Sequence, residues 1–88
     1  MPPKESDFNA ELDRIFAAAA ALNLSYIGLT SGELHRRVGS YPGDHRMPVC
    51  CRSMRRKFDS HAGDRVIASP EKGDGATLLI QYVIPRRA

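Results

Sequence analysis

The chain has no tryptophan, three tyrosines, three phenylalanines and two cysteines in 88 residues. The cysteines are neighbours, Cys50 and Cys51, so no disulfide can link distant parts of this chain, and it must fold on its apolar core. No apolar run approaches the ~18 residues needed to span a bilayer, so no membrane partner is expected. The opening MPPKESD has no apolar stretch behind its single lysine, so no signal peptide is expected and the default location is cytoplasmic (cytosol or nucleoid). What remains is an ordinary balance of 42% hydrophobic and 26% charged residues, enough for one domain with a modest core.

Acids are missing from one region in particular. Between Asp44 and Asp59 there are five Arg or Lys residues and no carboxylate. Residues 1–34 carry two cations against five acids, residues 35–57 seven against one, and residues 58–88 four against four. The positive charge is therefore concentrated in the middle of the chain, as expected of a binding face; the plainer alternative is a solvated basic helix.

That region, HRMPVCCRSMRRKF (residues 45–58), has helical periodicity. At 100° per residue Met47, Cys51, Met54 and Phe58 fall within about 40° of one another, with Cys50 at the edge. His45, Val49, Arg52, Ser53 and Arg56 lie opposite, with Arg55 and Lys57 on the flanks. Pro48 places the start of the regular helix near Met47, with Asp44 as a candidate cap.

Ahead of it, residues 1–5 read as a frayed lead-in. Ser6 or Asp7 is the expected cap of a first helix whose stripe is Phe8, Leu12, Ile15, Phe16, Ala19 and Leu22, ending near Asn23. Its alanine run, residues 17–21, reads as core packing rather than a dimer seam. Residues 26–29 form a short strand. Thr30 and Glu33 make a capping box for a second helix, Ser31–Val38, that buries Leu34 and Val38 and turns His35, Arg36 and Arg37 outward or sideways. Gly39 ends it, and residues 40–44 are a turn. After Phe58, residues 65–69 and 76–84 read as strands around a polar tip at residues 70–75. In the second strand Leu78, Ile80, Tyr82 and Ile84 share one face, and Pro85 breaks it before a basic tail at residues 86–88.

This order resembles the winged helix-turn-helix family of DNA-binding domains over residues 6–84. The second helix, TSGELHRRVG, the third, HRMPVCCRSMRRKF, and the hairpin DRVIASPEKGDGATLLIQYVIP carry the resemblance. It implies an α+β fold of three helices packed on a small antiparallel sheet, in the order helix-strand-helix-helix-strand-strand, as a single domain over residues 1–88. It also implies a third helix in the major groove, a wing against the adjacent backbone or minor groove, and a first strand paired with the wing. Two departures stand out. The turn before the third helix, residues 39–44, is longer than a tight helix-turn-helix turn. The wing tip carries Glu71, Lys72 and Asp74, a poor phosphate clamp, which leaves Arg65 or Arg86 and Arg87 as alternatives.

If the third helix docks in a groove, the candidate nucleic-acid-binding residues are Arg36, Arg37, His45, Arg46, Arg52, Ser53, Arg55, Arg56 and Lys57. Arg46, Arg52 and Arg56 are placed for base edges or phosphates; a bidentate arginine–guanine pair discriminates by ~1–3 kcal/mol. Arg36, Arg37, Arg55 and Lys57 are placed for phosphates, Ser53 for either, and Pro48 and Val49 for a thymine methyl. Adjacent cysteines diverge too far to share a metal, so neither zinc nor any other cofactor is expected. Cys51 reads as core and Cys50 as a candidate redox-sensitive thiol. No oriented base or oxyanion hole supports an enzyme, and no small-molecule ligand is indicated. Residues 73–75 read as a turn rather than a phosphate cradle, since no helix follows. A single module of ~600–1,000 Å² has limited specificity, so a homodimer or protein partner is expected. The rival reading is a protein-interaction module for an acidic partner. RNA is disfavoured, because no aromatic cluster is interleaved with the cations.

Overall fold

In the computed structural model, which describes residues 3–39, 46–71 and 74–86, helix α1 (Glu5–Ala21) begins earlier than its sequence suggests. Lys4 is the cap, and the Asp7 carboxylate accepts its backbone N–H at 2.8 Å. Asp7 therefore caps from inside the first turn, reaching back to the cap residue. Pro3 is buried and Glu5 is ion-paired, so residues 3–5 are built into the fold and not frayed. Asn23, at φ 60°, ends the helix as expected. Leu22 lies just beyond the last helical residue and is 71% exposed, outside the stripe assigned to it.

Strand β1 (Tyr26–Thr30) runs directly into α2 (Ser31–Val38). The capping box forms: Thr30 Oγ1 accepts the Glu33 N–H at 3.1 Å, and its hydroxyl donates to the Glu33 carboxylate at 3.0 Å. Helix α3 (Met47–Lys57) follows, then a 3-10 turn (Ser60–Ala62), β2 (Arg65–Ala68) and β3 (Leu79–Val83). Among the described residues the fold is α+β, three helices with one antiparallel sheet in the order β1-β3-β2. Tyr26 pairs with Val83 and Leu29 with Ile80, so the first strand does join the later hairpin. The alternation read from the sequence holds: Leu78, Ile80, Tyr82 and Ile84 are all buried, with Phe8, Leu12, Phe16, Leu34, Met47 and Met54 completing the core. No helix of the described residues is long and apolar enough to cross a membrane.

Two features fix the packing. Gly32 lets α2 approach the start of β3: its N–H donates to Ala76 O at 3.0 Å, and a Cβ there would lie 3.1 Å from that same oxygen. The second is a buried ion pair. Arg86 Nη1 donates to Asp64 Oδ1 at 2.6 Å, with side chains 17% and 0% exposed. Its Nη2 reaches Lys57 O at 2.5 Å, and the guanidinium lies 5.0 Å from the Phe16 ring centroid and 5.2 Å from that of Tyr82. Arg86 is thus a packing residue rather than part of a solvated tail.

Asp64 also accepts the N–H groups of Asp59 and Val83, each at 2.8 Å. Burial alone would raise its pKa, but the Arg86 side chain and these two backbone donors outweigh that and hold the carboxyl below the usual carboxylate range. Replacing Arg86 with Ala strands the carboxylate and is expected to cost about 3–5 kcal/mol in urea denaturation. The folded state binds the Asp64 proton more weakly than the unfolded chain does. The pair's contribution is therefore complete above about pH 4 and is lost as pH falls through the lower folded value. Melting curves should show that acid loss in the wild type and a flatter profile in Asp64→Asn.

Candidate nucleic-acid interface

Helix α3 is held from three sides, and these restraints decide which of its residues face outward. Toward α1, the Ser53 hydroxyl donates to Asn9 Oδ1, Lys57 Nζ meets Asp13 Oδ1 at 3.0 Å, and Arg56 Nη1 meets Glu5 Oε1 at 3.0 Å. Toward α2 and the start of β3, Cys50 Sγ donates to Ser31 O at 3.3 Å and Cys51 Sγ to Gly75 O at 3.5 Å. The Ser31 hydroxyl donates to that same Gly75 carbonyl. From beneath, Tyr82 Oη donates to Met54 O at 2.8 Å. Burial pushes the Tyr82 hydroxyl well above its usual pKa, so it remains a donor.

The start of α3 is set by a residue assigned to solvent on sequence alone. His35 is fully buried, packs edge-on against Phe8 with ring centroids 5.1 Å apart, and its Nε2 accepts the Arg46 N–H at 2.9 Å. Its partners explain the correction: α1 covers α2 there, and the ring satisfies a backbone donor at the α3 cap that would otherwise be left without one. His35 is a positioning residue for Arg46.

The expected contact residues divide accordingly. Ser53 is fully buried against α1, which corrects its placement on the open side. The buried arc of α3 is wider than the Met47–Cys51–Met54 stripe because α1 packs beside it. Arg55 pairs with Asp74 at 2.6 Å, Arg56 with Glu5, Lys57 with Asp13, and Arg37 with Glu11 at 3.5 Å. Arg36, Arg46 and Arg52 are exposed and have no carboxylate partner among the described residues. Arg36 folds back beside Gly32, near the start of β3. On the helical wheel Arg52 is central to the open face, flanked by the paired Arg55 and Arg56, with Pro48 one turn earlier. His45 and Arg87 lie outside the described residues, as do the turn at residues 40–44 and Lys72 and Gly73 of the hairpin tip.

The cysteines carry no site. Both are fully buried and free. Burial, and then the neighbouring Cys51, push the Cys50 thiol up to about 12. A thiol that buried and that weakly acidic is not activated, so the redox-sensitive reading of Cys50 is withdrawn. Among the described residues no three His, Cys, Asp or Glu side chains form a group suited to a metal ion. Comparison with known proteins gives no match to a family model, to a curated protein or to a solved structure. In an Ellman assay both thiols should stay silent in native buffer and react together in denaturant. Rapid native reaction of either one would contradict the burial.

Proposed function

We propose that this chain is a winged helix-turn-helix protein that binds duplex DNA through the open face of α3. One observation carries the reading: Arg52 stands exposed at the centre of that face, in a helix anchored on its other sides, and Arg46 at its cap and Arg36 on α2 are exposed as well. A guanidinium there has bidentate donors for guanine or phosphate and, among the described residues, no acid paired with it. In this reading Arg52 reaches base edges or phosphate, Arg46 and Arg36 hold phosphates, and Pro48 and Val49 offer apolar contact. The protein acts by occupying DNA or recruiting another factor, without catalysis.

A second reading has its own support. In the loop before β3, Asp74 meets Arg55, and strand β2 leaves Val66 and Ile67 about half exposed at a sheet edge. That combination suits a protein-interaction module better than a phosphate clamp. Titration of random duplex DNA separates the two. Three phosphate contacts predict a log–log salt slope of roughly −3. Arg46→Ala with Arg52→Ala should weaken binding by at least tenfold and reduce the slope by about 2. Absence of duplex binding at about 50 mM salt favours the protein partner.

A further inference from the structure

Resting on the duplex reading above, we propose that Glu5 and Asp13 of α1 are built-in competitors for phosphate, each occupying the place a DNA oxygen would take on a cation of α3. Lys57 Nζ donates to Asp13 Oδ1 at 3.0 Å, as it would to a phosphate oxygen, and Glu5 Oε1 lies 3.0 Å from Arg56 Nη1 as an ion pair without hydrogen-bond geometry. Arg56 and Lys57 are consecutive, and their acids are two helical turns apart on α1, so the two side chains reach in opposite directions along it. Neither acid is needed as a cap, because Lys4 and Asp7 already close the start of α1.

The pairs are poor candidates for stability devices. One partner of each pair is open to water, Arg56 at 66% and Asp13 at 65% exposed against 27% for Glu5 and 33% for Lys57, so solvent screening leaves each a modest share in holding α3. Their effect on a ligand is larger. A tethered carboxylate faces its cation at an effective concentration on the order of millimolar, so dilute small anions do not displace it. A polyanion meets four arginines and lysines in α3 and Arg46 at its cap; Arg56 and Lys57 are held by α1 and Arg55 by Asp74. The acids therefore lower duplex affinity and flatten its salt dependence, leaving Arg36, Arg46 and Arg52 to set both.

The test is an anisotropy titration of random-sequence duplex DNA between about 50 and 200 mM salt. It compares the wild type, Glu5→Gln/Asp13→Asn, Arg56→Ala/Lys57→Ala and the quadruple variant, each checked for folding by thermal melting. The acid variant is expected to bind about three- to tenfold tighter, with a slope steeper by about 2, one unit per released cation. Removing Arg56 and Lys57 should abolish that gain. Equal affinity and slope for wild type and acid variant would overturn the proposal. So would a gain of the same size in the quadruple variant, which would mark a mere change in net charge. If neither the wild type nor the acid variant binds at the lowest salt, the duplex reading itself falls and the proposal falls with it. Should the double acid variant melt early, each single substitution carries half the expected steepening.

Discussion

The buried Asp64–Arg86 pair is the constraint on which the placement of α3 depends. Arg86 ties three segments together: the Lys57 carbonyl at the end of α3, the Val83 carbonyl at the end of β3, and the Asp64 carboxylate ahead of β2. Two aromatic rings cover its guanidinium. Desolvating two charges is costly unless every donor and lone pair is used, and here Asp59 and Val83 supply the remaining donors to Asp64. The consequence is geometric. The last turn of α3 cannot shift without breaking a charged network. Tyr82 holds Met54 one turn earlier, and His35 holds Arg46 at the start. A helix fixed at both ends and along its length keeps the backbone of Arg52 turned outward.

Charge on that face is partitioned rather than pooled. Read along the sequence, residues 35–57 are a block of cations. In three dimensions α1 lies alongside α3, and its acids meet Arg56 and Lys57, while Glu11 meets Arg37 and also Arg14. Proximity in the fold therefore undoes part of the asymmetry seen in the chain. The field that a polyanion meets is set by what the first helix leaves unpaired, so net charge alone overstates it.

The elements that local rules govern were legible in the sequence. The Thr30–Glu33 box and Gly39 bound α2 at Ser31–Val38, Pro48 marked the start of α3, and period-two alternation identified the buried face of β3. Three of the failures share a cause. Ser53, His35 and Arg86 are polar residues whose partners are 44, 11 and 22 positions away, and no local pattern reports such distant pairing. A helical wheel assigns polar residues to solvent, but a small domain with three helices against one sheet covers more than one stripe of each. For Ser53 the only available hint was Asn9, a polar residue one position after a buried phenylalanine on α1, and its significance appears only once α1 and α3 are in contact.

Three exposed arginines without a carboxylate partner among the described residues also bear on how so small a domain would achieve specificity. On the duplex reading proposed above, one module would cover roughly 600–1,000 Å² on DNA, and three phosphate contacts would make most of that affinity salt-dependent and indifferent to sequence. Discrimination must then come from a second contact surface. The chain exposes apolar side chains beside the α1–β1 connection, with Leu22 71% and Tyr26 60% exposed. Doubling a weak site by joining two copies, or one copy and a partner, raises avidity without any new base contact. The limited reach of Arg36, Arg46 and Arg52 is thus compatible with specific binding only as part of an assembly. A monomer alone would read the shape and charge of a duplex far better than its sequence.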